Sequence, residues 1–265
     1  VYRLMLAHSV PIEDANTVRI HLSALKGGRL AAAAPGLVTT LAISDVGPKP
    51  ELIASGPTTP SGTGPADALA VLERHRLVDA VPEAVISHLQ SAAPPPPVDG
   101  ALLVVADGAM AVEAAASEIR RRGVSARVVT TQLSGDARER AAWLARAPDP
   151  GEVVLAAGET TVEVRGPGLG GRNQEAALAA ALAIEGTDLV FAAFGTDGVD
   201  GPTDAAGAIV DGETAGRIRA SGVDPRVALD TSDSHTALAA GGALIRTGPT
   251  GTNVADLWMT VSPPG

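Results

Sequence analysis

Apolar residues recur along the chain at two spacings, and the spacing predicts which segments form helices and which form strands. Helical spacing covers residues 12–25, 66–75, 82–90, 109–122, 134–146 and 172–184. Short apolar or β-branched runs predict strands at 38–43, 101–106, 124–130, 152–156, 160–165, 188–194 and 243–246. Regular alternation of the two patterns in the second half is typical of a sheet with helices on both faces. The predicted fold class is α/β, with mostly parallel or mixed sheets and two domains separated by a cleft.

Four consecutive prolines within residues 92–98 interrupt these patterns. Proline lacks a backbone N–H and has a fixed φ, so such a run fits neither a helix interior nor a sheet interior and favours a stiff connector. We therefore predict a first domain at 1–91, a Pro-rich linker at 92–98 and a second α/β domain at 99–265.

Composition narrows the class of protein. A net charge of −10, with one Tyr, two Trp and two Phe, argues against binding nucleic acid, which needs positive potential and stacking rings. No apolar run approaches the roughly 18 residues of a membrane span. The absence of cysteine excludes disulfides and thiolate sites and fits a reducing, cytoplasmic location. A small-molecule ligand is the expected partner, and a homo-oligomer is compatible with the sequence.

The segment from Gly166 to Glu175 joins a predicted strand to a predicted helix and is rich in glycine. Glycine allows close approach of backbone to an anion, and the free N–H groups of a helix start favour phosphate. Arg172 adds a planar cation at the helix start. We predict phosphate contacts from Gly170, Gly171 and Asn173, although a plain turn with a solvated arginine is the ordinary alternative.

The same segment satisfies the dinucleotide fingerprint through Gly166, Gly168 and Gly171. That fingerprint also requires an acidic residue at the end of the next strand, to hold the ribose. Asp188 instead precedes the next strand, which weakens the nicotinamide hypothesis without removing it.

A second loop, 195–204, follows the most apolar predicted strand and carries Asp197, Asp200 and Asp204. Carboxylates at a strand end suit Mg²⁺ on a nucleotide, and one of them could accept a proton from an attacking hydroxyl. The alternative is that these Asp-Gly pairs simply form turns.

Two further glycine-rich segments have the composition of anion-binding loops. They contribute Thr250, Gly251 and Asn253 in one case and Ser55, Gly56 and Thr58 in the other. Each segment alone is more often an ordinary loop.

Other constellations are excluded by geometry. Asp233, Ser234 and His235 have the composition of a triad, but neighbours on a helix point in different directions. The five histidines lack metal-ligand spacing and are interpreted as ordinary surface or interface residues.

Five strings, in this order, resemble the class II glycerate 2-kinases. They are His21–Ala31, Ser44–Gly47 with Ile53–Thr58, Gly158–Glu175, Gly195–Gly212 and Thr247–Leu257. By this resemblance, residues 1–91 correspond to the carboxyl-terminal part of the family's amino-terminal domain and residues 99–265 to its MOFRL domain. An older label of the family is hydroxypyruvate reductase.

The resemblance implies transfer of the γ-phosphoryl group of ATP, assisted by Mg²⁺, to the 2-hydroxyl of D-glycerate. Arg172 matches the arginine considered catalytic in the family, and its role would be to neutralise charge on the transferring phosphoryl group. We also predict that Asp197 is catalytic. The implied metal ligands are Asp45, Asp197 and Asp200. The implied substrate or phosphate contacts are Lys26, Gly27, Gly28, Ser44, Ser55, Gly56, Thr58, Gly170, Gly171, Asn173, Thr250, Gly251 and Asn253.

The sequence departs from the family in two places. No lysine lies in the family's Gly-Lys-Ala setting, and Gly47-Pro48-Lys49 replaces the usual Gly-Asp after Ser-Asp-Val. We expect the amino-terminal catalytic segment to be missing, with activity impaired. The alternatives are an NAD(P)H-dependent hydroxypyruvate reductase and a non-catalytic nucleotide-binding remnant.

Overall fold

The computed structural model describes residues 1–47 and 50–265. The chain folds into two compact units, one formed by Val1–Ala42 and Pro48–Val105, the other by Ile43–Gly47 and Ala106–Gly265. The change in Gly47-Pro48-Lys49 falls mostly outside the described residues. The predicted domain boundary at 92–98 stays a prediction, because compact units need not coincide with domains that fold separately.

The first unit is largely helical. Its helices are α1 (Tyr2–Ala7), α2 (Ile12–His21), α3 (Arg29–Ala32), α4 (Pro65–Arg74) and α5 (Glu83–Ser91), with 3-10 segments at Pro50–Ser55 and Val78–Ala80. Strands β1 (Val38–Ser44) and β2 (Gly100–Asp107), whose last two residues are assigned to the second unit, pair in a two-stranded sheet. Its core is formed by Met5, Val10, Ala15, Val18, Ala68, Val71, Leu72, Leu77, Val81 and Leu89.

The second unit carries the remaining elements. Its helices are α6 (Gly108–Arg121), α7 (Ala137–Ala145), α8 (Arg172–Ala183), α9 (Thr214–Ala220), α10 (Pro225–Asp230) and α11 (Ser234–Ala240). Its strands are β3 (Ser125–Leu133), β4 (Glu152–Gly158), β5 (Val190–Gly195), β6 (Gly207–Asp211), β7 (Leu244–Ile245) and β8 (Asp256–Val261).

These strands form one six-stranded sheet in the order β3-β4-β8-β5-β6-β7. Within this sheet only β3 and β4 pair in parallel, and the other neighbours are antiparallel. The observed sheet is therefore mixed, which is one of the two alternatives that the sequence predicted. The last strand, β8, lies between β4 and β5, so the centre of the sheet depends on a long-range pairing.

Side chains of β4 alternate between the two faces of the sheet, as strand geometry requires. Val153, Leu155 and Ala157 pack with α6 residues Val112 and Ala116 on one face. The opposite face forms the largest cluster of the protein, which includes Val154, Ala156, Phe191 and Trp258 together with residues of α7, α8 and α11. Helices thus cover both faces, which confirms the predicted α/β class.

Two sequence expectations about elements are wrong. Residues 160–165 alternate in the manner of a strand, but they form only a single bridge, between Thr161 and Asp136. Their backbone instead bonds to loops, with Thr161 N–H donating to Gly135 O and Arg165 N–H to Ser232 Oγ. The helix expected at 12–25 ends at His21.

Within the described residues, no helix combines the length and the apolar character needed to cross a membrane.

Candidate functional site

The chemically interesting residues of the second unit gather at one edge of its sheet. Asp256, the first residue of β8, is paired with Gly158 at the end of β4 and with Gly195 at the end of β5. The antiparallel insertion of β8 therefore brings three loops to one edge. These loops are residues 159–171, 196–206 and 246–255.

Arg172, the first residue of α8, lies at the centre of this edge. Its Nε donates to Asp256 Oδ2 at 2.6 Å, and its Nη2 donates to Asp256 Oδ1 at 3.0 Å and to Glu159 Oε1 at 2.6 Å. The Asp256 side chain is 1% exposed, whereas that of Arg172 is 36% exposed. The paired bonds to one buried carboxylate fix the plane of the guanidinium. Nη1 has no protein acceptor among the described residues and remains available to a ligand.

The pKa of Arg172 and the pKa of Glu159 are both raised, for different reasons. Hydrogen bonding to Asp256 raises the pKa of Arg172, which is thus always charged. Burial raises the pKa of Glu159, the negative charges of Asp256 and Asp45 act in the same direction, and Arg172 opposes them. Glu159 therefore takes up a proton at a higher pH than an exposed glutamate does.

Asp200 is buried and occupies the start of α8. Its carboxylate accepts the backbone N–H groups of Asn173 at 3.1 Å and Gln174 at 2.8 Å, and the side-chain amides of the same residues at 3.2 and 3.0 Å. Gly171, at the N-cap position, has no side chain that could provide this cap. Asp200 therefore caps the helix from a distant loop, although burial raises the pKa of Asp200 and makes this charge costly.

The prediction that the N–H groups at the start of α8 are free is therefore wrong for Asn173 and Gln174. Both groups are occupied by Asp200 rather than open to a phosphate. The Asn173 side chain also bonds within the protein, since Trp258 Nε1 donates to its Oδ1 at 2.7 Å. The contacts of Asp200 favour a capping role over the predicted metal-ligating one.

The glycines before α8 are close-packed against protein rather than open. At each of four glycines, an added Cβ would lie less than 3 Å from another segment of the protein. The distances are 2.6 Å from Gly166 to Thr231 O, 2.5 Å from Gly168 to Asp233 Cβ, 2.2 Å from Gly170 to Ser234 Oγ and 2.4 Å from Gly171 to Asp200 Cγ. Hydrogen bonds join the same segments, with Leu169 N–H donating to Asp233 Oδ1 at 3.0 Å. The expectation of an open glycine cradle is wrong for this loop, whose glycines permit close packing that positions Arg172.

Asp197 lies in the turn that follows β5 and is half-buried. Its Oδ1 accepts Val199 N–H at 3.0 Å, and its backbone carbonyl accepts Thr250 N–H at 3.0 Å. Oxygens of Asp197 and Asp256 would lie 3.0 and 3.5 Å from a Cβ at Gly195, so glycine at this position lets both carboxylates approach. Asp197 is thus brought to the edge that carries Arg172.

The loop at 247–253 packs beside the Asp197 turn. Thr250 Oγ1 donates to Thr196 O at 2.6 Å, so this hydroxyl is engaged within the protein. Asn253 Nδ2 donates to Asp45 Oδ2 at 2.9 Å. Gly251 is exposed, with φ of +78° and no heavy atom near the position of a Cβ. Of the predicted residues of this loop, Gly251 alone is left entirely open.

The three predicted metal ligands are not assembled into one site. In residues 1–47 and 50–265, no group of three His, Cys, Asp or Glu side chains could hold a metal ion. Asp45 is exposed and Asp197 is half-buried, and each has one carboxylate oxygen without a protein donor in the described part of the chain. Mg²⁺ on a nucleotide needs only one or two carboxylates besides phosphates and water. The free oxygen of Asp45 or of Asp197 suits such a cation, whereas the carboxylate of Asp200 is occupied by amide donors.

Predicted site residues of the first unit are also brought together. Gly27 N–H donates to Ser55 O at 3.3 Å and Gly28 N–H to Gly56 O at 2.8 Å. The Lys26 ammonium donates to the carbonyl of Ala54. Two segments separated by more than 20 residues in sequence therefore form one local structure.

The glycines of this structure are required by space as well as by backbone conformation. Gly27 and Gly28 have φ of +64° and +83°, and a Cβ would lie 2.7 Å from Ile20 Cγ2 or 2.3 Å from Val98 Cγ2. Thr58 is half-buried and accepts a hydrogen bond from Thr40 at 2.7 Å. Ser44 is buried in the second unit, where its hydroxyl donates to Gly47 O at 3.5 Å.

Asp233, Ser234 and His235 do not bond one another in the described chain. Asp233 bonds Leu169 and Thr236, His235 Nδ1 lies 2.8 Å from Gln174 Oε1, and Ser234 Oγ is buried without a partner in the described chain. Among the histidines, which are interpreted from the sequence as ordinary surface or interface residues, His21 is buried. It is 1% exposed, and burial lowers its pKa.

Sequence reasoning missed Asp256 and Glu159, the two carboxylates that bond Arg172. Both fall inside strings that carried the family resemblance, but neither has a distinctive local spacing. Asp256 lies 84 residues from Arg172 in sequence. The available signal was a lone acid at the start of the apolar run 256–261, a position that exposes the residue to neighbouring strand ends.

Two protein-family models match separate stretches of this chain. The model described as "MOFRL family" matches residues 152–256, and the model described as "Domain of unknown function (DUF4147)" matches residues 1–90. A crystal structure of a glycerate kinase from Thermotoga maritima has a TM-score of 0.90 and 40% identity, and the alignment covers 98% of this chain and 66% of that chain. The fold of this chain is thus that of a glycerate kinase.

Curated relatives identify the family. D-glycerate 2-kinase of Thermotoga maritima is 41% identical over 96% of this chain and 63% of its own length. Glycerate kinase of Macaca fascicularis is 36% identical over 96% of this chain and 80% of its own length. This chain belongs to the glycerate kinase family, as its sequence motifs indicated. It spans 63% of the length of the Thermotoga relative.

Proposed function

We propose that this chain takes part in the transfer of the γ-phosphoryl group of ATP to the 2-hydroxyl of D-glycerate, which gives 2-phosphoglycerate and ADP. The names of the relatives support the substrate class. The observation that carries the chemistry is the fixed guanidinium of Arg172, whose Nη1 is free of acceptors in the described chain at an edge where three loops meet.

In this reaction the 2-hydroxyl oxygen forms a bond to the γ-phosphorus while the bond from that phosphorus to the β–γ bridging oxygen breaks. The hydroxyl proton passes to a carboxylate, for which Asp197 is the proposed acceptor. Negative charge spreads over the oxygens of the transferring group and onto the departing ADP. A guanidinium that is already oriented stabilises such charge without reorganising. Asp256 and Glu159 supply that orientation for Arg172, and Nη1 supplies the contact.

Asp45 and Asp197 are the residues that would hold Mg²⁺ with the nucleotide. When bound, the cation neutralises phosphate charge. Asp256 and Glu159 already balance Arg172, so an incoming polyphosphate meets an acidic edge and would bind more favourably together with a divalent cation. Gly251 and the exposed part of its loop are left accessible to phosphate oxygens.

The nicotinamide-dependent reductase has no support from the loop that suggested it. Gly166, Gly168 and Gly171 pack against Thr231, Asp233 and Asp200, so their glycine turn is filled by protein. A pyrophosphate needs the open backbone that this packing removes. We therefore retain the kinase as the proposed function.

The test is the identity of the product. The protein is incubated with ATP, Mg²⁺ and D-glycerate, and phosphorus NMR follows the phosphate esters. We expect 2-phosphoglycerate and ADP in equal amounts. Formation of 3-phosphoglycerate would contradict the assigned hydroxyl, and binding of ATP without any phosphorylated glycerate would identify a non-catalytic nucleotide-binding protein. Oxidation of NADH on addition of hydroxypyruvate would instead support the reductase hypothesis.

A further inference from the structure

A strained turn lies next to Lys26 in the first unit. Ala54, Ser55 and Gly56 have successive φ values of +52°, +61° and +62°. For Ala and Ser this conformation is strained, and such strain persists where surrounding contacts enforce it. Here the carbonyls of all three residues accept hydrogen bonds from the segment Lys26–Gly28.

The side chain of Ser55 is held together with a guanidinium. Ser55 Oγ donates to Asn16 Oδ1 at 3.2 Å, and Arg19 Nη1 donates to the same oxygen at 3.3 Å. The Arg19 guanidinium also lies 4.7 Å from the centroid of the Tyr2 ring. A hydroxyl donor and a cation are thus fixed around one amide oxygen, and four of the five guanidinium N–H groups have no protein acceptor in the described chain.

Arg19 and Lys26 are not neutralised by the protein. Neither forms an ion pair with a side chain of residues 1–47 or 52–265, although the chain has 30 acidic and 20 basic residues. Burial lowers the pKa of Lys26, and the charge of Arg19 adds to that effect, so the two cations are close enough to repel. A pair of uncompensated cations in a protein of net charge −10 creates a local region of positive potential.

We propose that Arg19, Lys26 and Ser55 form a subsite for a single oxyanion, a carboxylate or a phosphate group. The planar guanidinium offers paired N–H donors, the ammonium offers a point charge, and the Ser55 hydroxyl can turn from Asn16 to the ligand. An anion here would remove the repulsion between the two cations. The proposal extends the proposed function by adding Arg19, and it concerns binding alone, so it can succeed or fail independently of phosphoryl transfer.

Isothermal titration calorimetry of the whole chain tests the subsite with three ligands used separately: inorganic phosphate, D-glycerate and ADP without Mg²⁺. Arg19→Gln is the main variant because Arg19 does not hold the strained turn. Arg3→Gln is the matched control, since it removes the same charge from an exposed position of the same unit. Circular dichroism checks that both variants fold.

We expect the wild type and Arg3→Gln to bind at least one of the three ligands equally, and Arg19→Gln to bind that ligand about tenfold more weakly. Loss confined to D-glycerate would identify the substrate carboxylate as the occupant, and loss confined to phosphate and ADP would identify a nucleotide phosphate. Unchanged binding in Arg19→Gln, or no binding of any ligand by the wild type, would overturn the subsite.

Discussion

Arg172 and Lys26 each lie beside a glycine-rich turn, but the protein surrounds them differently. Two carboxylates bond Arg172, and its pKa is raised. Lys26 has only a backbone carbonyl among the described residues, and its pKa is lowered by burial and by Arg19. The first arrangement fixes a cation in an acidic setting, and the second leaves positive charge uncompensated.

A glycine-rich loop with a cation therefore does not by itself define an anion site. Before α8 the glycines serve packing, and the N–H groups of Asn173 and Gln174 belong to Asp200. Near Lys26 the glycines bring two backbone segments together and leave the charge open. We therefore expect the Arg172 edge to prefer a phosphate accompanied by Mg²⁺ and the Lys26 region to prefer a bare oxyanion.

The largest expected effect on the Arg172 side comes from removing the cap of α8. Asp200→Ala leaves buried amide groups of Asn173 and Gln174 without an acceptor, which should lower the free energy of unfolding by about 3 kcal/mol. Urea unfolding, followed through the fluorescence of buried Trp258 in a Trp143→Phe background, measures this change. Asp188→Ala, at an exposed position, should change the stability by less than about 0.5 kcal/mol. Equal losses in the two variants would contradict the capping role.

The packing role of the glycine loop predicts the next largest effect. Gly168→Ala would place a Cβ 2.5 Å from Asp233 Cβ and 2.6 Å from its backbone, which should destabilise the fold by about 2 kcal/mol. Gly216→Ala, inside α9 with open space around it, should instead stabilise by up to about 1 kcal/mol. Thermal unfolding of the pair gives the comparison. A Gly168→Ala protein as stable as the wild type would instead support the open glycine loop that the sequence predicted.

Removing one acid beside Arg172 should make the two regions more alike. In an Arg19→Gln background, Asp256→Asn deletes a negative charge from the Arg172 edge while keeping the side-chain size. Inorganic phosphate without Mg²⁺ should then bind roughly tenfold more tightly, because less repulsion opposes it. Calorimetry measures the affinity. Tighter binding in an Asp188→Asn control would show instead that overall charge, and not this edge, controls phosphate binding.

The smallest expected effect is a pH dependence from Glu159. Burial raises its pKa in the folded state, so its contribution to stability is fully present below the unfolded pKa of about 4.3 and is lost as the pH rises through the raised value. The Glu159→Gln variant lacks this titrating group. Its free energy of unfolding should therefore increase relative to that of the wild type as the pH rises through the raised pKa. Urea unfolding at a series of pH values measures the difference.

Glu118→Gln provides the opposite sign in the same experiment. Hydrogen bonds from Arg121 and Arg122 lower the pKa of Glu118, so its contribution is present above the unfolded pKa and is lost as the pH falls through the lowered value. Relative to wild type, this variant should lose stability as the pH rises. A change in the same direction for both variants would contradict the assigned charge environment of Glu159.

Local patterns predicted most of the fold. The helix expected at 109–122 is observed as Gly108–Arg121, and the strand expected at 152–156 as Glu152–Gly158. What the patterns could not reveal is pairing between distant segments. Strand β8 lies between β4 and β5, and its antiparallel direction makes the sheet mixed.

The candidate site shows the same limit. Arg172 could be predicted because its place at a helix start is visible in the local sequence. Asp200 could not be recognised as a cap, because its partners lie 26 and 27 residues away and its Asp-Gly neighbourhood is equally typical of a metal loop. The role of Asp256 depends on strand register, which a single sequence does not contain.

The most direct test of the role of Arg172 compares the turnover of ATP and D-glycerate by the wild type, Arg172→Ala and Arg165→Ala. Arg165 lies in the preceding segment, and its side chain pairs with the exposed Glu163, so it is the matched arginine control. We predict that Arg172→Ala loses about 100-fold or more in kcat, near 3 kcal/mol of transition-state stabilisation, while Arg165→Ala stays close to wild type. An Arg172→Ala protein that turns over like Arg165→Ala would contradict the assignment of Arg172 to phosphoryl transfer.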